Sequence, residues 1–262
     1  MAPGTALVTG ASAGIGREFC RQLAARGYDL VIVARDAVRL DALADELRSA
    51  HGVAVYVLPA DLTRDADVER VASHAAADAR LAMIVNNAGF GTVGYLASAP
   101  ADLQDAMLRL HVLAPMRLTR AGLPGMLARR RGAVINVSSV AGFVYSPGTV
   151  NYCASKAYLT TFTEGLALEL AGSGVAAQAL CPGFTRTEFH QRMGPDARPR
   201  PRHLWMTVDA VVRASLGQLD RGGPVVCVPG LRNKLLVAVI GILPRRAIGL
   251  LTGRRRPPRP AV

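Results

Sequence analysis

Short apolar runs of strand type recur along this chain at 5–9, 30–34, 54–58, 83–86, 133–138, 175–180 and 225–228. The stretches between them place apolar side chains at helical spacing: Phe19, Leu23 and Ala24 follow the first run, and a longer apolar-patterned segment continues from Tyr152 through Leu170. Strand and helix therefore alternate. That pattern predicts an α/β fold, a doubly wound parallel sheet with ligands at the carboxyl ends of its strands. A length of 262 residues suits one large domain with an adequate core, and 50% hydrophobic residues exclude wholesale disorder. No internal repeat is visible.

The first run, Thr5 to Thr9, leads directly into Gly10-Ala11-Ser12-Ala13-Gly14-Ile15-Gly16 and then into a helical segment. Strand, glycine turn and helix in that order form the setting of a dinucleotide site. Glycines let the backbone take positive φ and let a pyrophosphate approach, while the free N–H groups of the new helix meet its charge. The second run ends at Arg35-Asp36, where such a fold reads the adenosine ribose. An acidic group there chelates the ribose diol, whereas a guanidinium favours a 2′-phosphate through forked hydrogen bonds. Arg35 comes first and Ser12 adds a hydroxyl, so NADP(H) is expected ahead of NAD(H). The plainer alternatives are a solvated charge at Arg35 and a helix N-cap at Asp36, opening a helix that runs to Ser49.

Tyr152 and Lys156 stand four residues apart, about one helical turn, so both side chains project from one face. A free tyrosine has a pKa of about 10, and lowering it by two to three units takes roughly 3–4 kcal/mol of differential stabilisation. A neighbouring Lys⁺ and an oxidised nicotinamide can supply that, which makes the pair a candidate proton-transfer device. Ser139 lies thirteen residues upstream.

In this order and spacing the residues resemble the short-chain dehydrogenase/reductase family, in a bacterial form, over roughly Thr5 to Val228. Thr9-Gly10-x-x-x-Gly14-x-Gly16 is similar to its cofactor fingerprint, and Asp61-Leu62 to its adenine-contacting pair. Asn86-Asn87-Ala88-Gly89 resembles its sheet-supporting segment, and Pro182-Gly183 with Thr187 the turn that contacts the nicotinamide carboxamide. Asn136-Val137-Ser138-Ser139 resembles the strand end bearing the catalytic serine, with Ser139 in register. The resemblance implies a single-domain Rossmann fold and a hydride-transferring oxidoreductase. Tyr152 would donate a proton to a substrate carbonyl, Ser139 would hydrogen-bond its oxygen, and Lys156 would hold the nicotinamide ribose and lower the tyrosine pKa. It also implies dimers or tetramers. At His111 the family pattern has an asparagine that helps hold a water linking the lysine to solvent. An imidazole can bond to water and carry a proton itself, so His111 is a candidate relay; the alternative is a packed helix residue.

Cys20, Cys153, Cys181 and Cys227 show neither metal-ligand spacing nor a disulfide framework, which suits a reducing compartment, and the amino terminus carries no secretory pattern. A cytoplasmic enzyme with no metal is expected. The formal net charge of +12 does not point to nucleic acid, because the arginines are not interleaved with aromatics. They cluster instead in two late segments, Arg192 to Arg202 and Arg245 to Arg259. The first falls within 184–205, where the family places a substrate lid. Phe184, Phe189, Met193, Leu204 and Trp205 there can shape an apolar pocket, and the plain alternative is a solvated loop; His190 and His203 are not expected to be catalytic. The second belongs to an extension, 231–262, beyond a catalytic domain of 1–230. Its apolar run Leu235 to Leu243 has nine residues against the roughly 20 that span a bilayer. Peripheral membrane contact through 234–256, a pocket cover and a subunit interface are all open readings, and Pro257 to Val262 read as disordered. The reaction expected is NADPH-dependent reduction of an apolar ketone, aldehyde or acyl-type carbonyl. The alternatives are NAD-dependent alcohol oxidation and a non-catalytic cofactor-binding scaffold.

Overall fold

The computed structural model describes residues 3–189 and 204–253. Met193, His190, His203, the arginines from Arg192 to Arg202 and the tail from 254 onward lie outside them. Seven strands form one parallel sheet: β1 (Thr5–Thr9), β2 (Asp29–Ala34), β3 (Val55–Pro59), β4 (Leu81–Asn86), β5 (Gly132–Val137), β6 (Val175–Leu180) and β7 (Val226–Cys227), in the order β3-β2-β1-β4-β5-β6-β7. Chain direction along the sheet reverses between β1 and β4, and a crevice opens there beyond the strand ends.

The central strands are buried along nearly their whole length, as expected of a parallel sheet covered on both faces. On one face lie α1 (Gly14–Ala24), α2 (Ala37–His51) and α7 (Val208–Asp220), whose Phe19, Leu23, Leu40, Leu47 and Val212 pack over Ala6, Ile32 and Val85. On the other lie α3 (Asp65–Ala77), α5 (Ala114–Ala128) and α6 (Val150–Glu169), with Val71, Leu118 and Leu166 over Leu7, Ile84 and Val134. Residues alternating along β1 thus feed both cores, the period-two consequence of a strand with two covered faces. Asp36 does cap α2, its carboxylate accepting from Arg39 N at 3.0 Å.

Between α4 (Ala101–Leu108) and α5 the helix widens into a π turn, Arg109–Leu113, centred on His111. The apolar run at 235–243 lies within α8 (Leu231–Ile242) up to its C-cap Leu243; the helix stops before Pro244, and α9 (Arg245–Gly253) begins beyond it. Proline lacks the N–H and restricts the residue before it, and Leu243 is accordingly extended at φ −77°, ψ 137°. Among the described residues no helix is long and apolar enough to cross a membrane.

Candidate active site

The glycine loop comes first. Gly10 and Gly14 adopt φ +66° and +56°, and a Cβ at Gly16 would sit 2.2 Å from the Gly10 carbonyl oxygen, so the loop tolerates no side chain there. It delivers the chain into α1, which has no side-chain N-cap and no acidic residue in its first turn. An uncapped, acid-free helix start with a bare backbone approach is what a pyrophosphate requires, and the residues fit that group. Ser12 and Ile15 are half-buried in this turn, and Ile15 also packs on the first core. The neighbouring β4 end is tied down by Thr9, whose hydroxyl accepts from Asn87 N at 2.9 Å and Ala88 N at 3.0 Å. Asn87 returns its amide N–H to the Thr9 carbonyl oxygen at 2.9 Å. Thr9, read as the strand's last residue and the first of the fingerprint, thus aligns two of the expected cofactor positions.

Farther along the crevice, Arg35 is exposed at the end of β2, while the Asp36 carboxylate is engaged by Arg39 through its backbone N–H and, at 3.3 Å, its Nε. Past β3, Asp61 accepts from Thr63 N and Oγ1, and Leu62 is buried. After β6, Pro182 is buried and Gly183 is pressed against Asn233, whose amide atoms would be 2.6 Å from a Cβ there. Thr187 lies over the glycine loop, its methyl 3.0 Å from where a Gly14 Cβ would be.

Ser139 caps the short 3-10 turn Val140–Phe143, its Oγ accepting from Ala141 N at 3.1 Å, and it lies near enough to the Tyr152 phenol to lower its pKa. Ser138 turns the opposite way, donating to the Lys156 carbonyl oxygen at 2.7 Å. Strand alternation thus separates the two serines, and Ser139 is the one beside the phenol. Gly142 lets this turn lie on α6, since a Cβ would meet the Lys156 carbonyl at 2.9 Å. Lys156 is buried and Nζ donates to the Val137 carbonyl oxygen at 2.8 Å, with the ammonium 5.8 Å from the centre of the Tyr152 ring. Burial pushes Lys156 down to about 8. Burial also pushes Tyr152 up to about 12, only partly opposed by the nearby Ser139 hydroxyl, so the phenol is protonated at neutral pH.

His111 is fully buried and its ring is used at both nitrogens. Phe90 N donates to Nε2 at 3.1 Å, which leaves the proton of the neutral ring on Nδ1, facing Ser155 Oγ at 2.9 Å. Ser155 in turn donates to the Tyr152 carbonyl oxygen at 2.9 Å. The imidazole therefore connects the Phe90 loop to the first turn of α6, and its hydrogen bonds go to Phe90 and Ser155 rather than to Lys156. Burial, reinforced by the Lys156 charge, holds its pKa well below the usual imidazole range. Gly89 fits against the ring, with Nε2 2.7 Å from a built Cβ.

Two rings neighbour the phenol: His111 at 6.0 Å, itself 6.0 Å from Phe90, and Phe189 at 5.9 Å. Phe184 packs on Trp205 at 5.7 Å. Beside Tyr152 a narrow polar notch is braced by Asn151 donating to Gln104 and Gln104 to Thr92. Sequence reading missed these braces, and it left the extension's role open among several readings. Val237 of α8 packs with Val140 and Phe143, and the Tyr145 hydroxyl donates to the Arg245 carbonyl oxygen of α9.

The family model for short chain dehydrogenases matches residues 4–198. A short-chain dehydrogenase from Sphingobium yanoikuyae, solved in complex with NADPH, is 40% identical with a TM-score of 0.83, covering 98% of both chains. The bulky-bulky ketone specific alcohol dehydrogenase from Comamonas testosteroni is 35% identical with a TM-score of 0.80, covering 92% of this chain and 94% of that one. A short chain dehydrogenase of Pseudocercospora fijiensis is 40% identical over 189 residues, 71% of this chain, and the match spans only 60% of that relative's length. A seven-stranded parallel sheet, its motifs in this order and a family match across most of the chain make this protein a member of the short-chain dehydrogenase/reductase family, an oxidoreductase.

Proposed function

We propose that this enzyme reduces an apolar ketone, aldehyde or acyl-type carbonyl with NADPH. The observation that carries the reading is the placement of the Tyr152 phenol beside Ser139, with the buried Lys156 ammonium 5.8 Å from the centre of its ring. Gly10, Ser12, Gly14, Ile15 and Gly16 would receive the pyrophosphate, and Asp61, Leu62, Asn87, Ala88 and Gly89 would line the adenine and ribose side. Pro182, Gly183 and Thr187 would hold the carboxamide. A bound nicotinamide supplies the hydride. Ser139 steadies the carbonyl oxygen as charge develops there, and Tyr152 gives it a proton. Lys156, positioned on the Val137 carbonyl, stabilises the phenolate that results and would hold the ribose hydroxyls. His111 orients the Tyr152 turn through Ser155 and does not carry the proton.

Two features support NADPH over NADH. Arg35 stands exposed at the ribose end, and the carboxylate that would chelate a ribose diol, Asp36, is occupied as the cap of α2. The aromatic surroundings of Tyr152 and the similarity to an enzyme described as bulky-bulky ketone specific support an apolar, bulky substrate. The test is loss of 340 nm absorbance with each cofactor across a panel of such ketones and aldehydes. Wild type should consume NADPH and Tyr152→Phe should lose at least about a thousandfold in rate, the scale of removing a general acid. Equal rates in both would end the proposal.

A further inference from the structure

The extension has two faces with different characters. Inward, Asn233, Val237 and Ile240 of α8 lie toward the protein, with Asn233 against Gly183 and Val237 on the Val140–Phe143 turn. Outward, Leu231, Leu235, Val239 and Ile242 are 73, 58, 50 and 82% exposed. At about 100° per residue these four fall within an arc of about 80°, a continuous apolar stripe along the helix. Leu250 and Leu251 of α9 are also exposed. Cations accompany the stripe: Arg232 and Lys234 in the first turn of α8, Arg245 and Arg246 at the start of α9, all at the surface. No acidic residue follows Asp220, whereas nine lysines and arginines do.

We infer that the outer face of α8 and α9 docks the enzyme on an anionic lipid surface, lying in the interface rather than crossing it. Twelve helical residues reach about 18 Å, short of the roughly 30 Å hydrocarbon layer, so insertion edge-on is the geometry available. The charge pattern decides the occupant. This segment offers cations and no carboxylate, so a second copy brought onto the same face by a twofold axis would meet it with like charge, whereas anionic headgroups meet Lys234, Arg245 and Arg246 favourably. The stripe is one helix thickness, about 10 Å, from the turn that follows Ser139, so docking brings the mouth of the crevice to the lipid.

The experiment is sedimentation of the full chain with vesicles of phosphatidylcholine alone and of phosphatidylcholine mixed with phosphatidylglycerol, at low and high salt. Binding is expected to the mixed vesicles at low salt and to fall about tenfold with neutral vesicles or high salt. Leu235→Glu with Ile242→Glu, and separately Lys234→Glu with Arg246→Glu, should each lower binding about tenfold while leaving the thermal melt unchanged. These side chains face outward, so the variants keep the fold. No binding to anionic vesicles, or binding that survives both pairs of substitutions, overturns the inference. So does a wild type that ignores vesicles but loses a subunit in sedimentation velocity when Leu235 and Ile242 are changed, which would assign the stripe to a second copy. Capture on polyglutamate without vesicle binding would assign it to an acidic protein. None of these readouts involves turnover, so the reductase reading stands or falls separately.

Discussion

At His111 one side chain couples chemistry to stability. Its neutral ring accepts from Phe90 and donates toward Ser155, so protonation would break the Phe90 bond and place a charge near Lys156. The folded state therefore takes up its proton at a lower pH than the unfolded chain, whose histidine titrates near about 6.5. Below that value the unfolded state binds more protons, and stability falls with decreasing pH until the folded value is reached. Denaturant titrations of wild type and His111→Asn should differ over this window by a slope approaching ~1.4 kcal/mol per pH unit, present only in wild type. Identical slopes would show that the ring is not held neutral. The sequence marked His111 as chemically unusual, but periodicity cannot say where two ring nitrogens point.

At the scale of elements, the turn after β6 was read as a cofactor contact, while the extension holding α8 was left open as membrane contact, pocket cover or subunit interface. They share a surface. Gly183 has an ordinary φ, and what bars a side chain there is the amide of Asn233, which donates to the Pro229 carbonyl oxygen at 2.8 Å. Gly183→Ala should raise the Kd for NADPH about tenfold and cost about 1–3 kcal/mol from overpacking. Adding Asn233→Ala should recover most of both losses, because the double variant removes the opposing atoms. Isothermal titration on the two single variants and the double variant checks this; additive losses would separate the turn from α8.

For the whole molecule, cofactor choice appears as a linkage between binding and folding. A ligand held only by the folded state at a hundred times its Kd stabilises by about 2.7 kcal/mol, which for a domain of this size is about 5–10 °C in Tm. NADPH should produce that rise and NADH at the same concentration a smaller one, with Arg35→Asp narrowing or reversing the difference in a thermal melt. An unchanged gap would remove Arg35 from cofactor selection.

The alternation of apolar runs and helical stretches determined the layer architecture, because buried parallel strands must be apolar and crossovers must be amphipathic. The glycines at 10, 14 and 16 and the Tyr152–Lys156 spacing are local constraints, so they too were readable. Tertiary structure decided what depends on approach between distant segments: the separation of Ser138 from Ser139, Thr9 beneath Asn87 and Ala88, and His111 joined to Ser155. It also decided that one side of the extension supports Gly183 and the turn after Ser139 while the other faces outward. Sequence shows which side chains a helix carries, and only packing assigns its two faces.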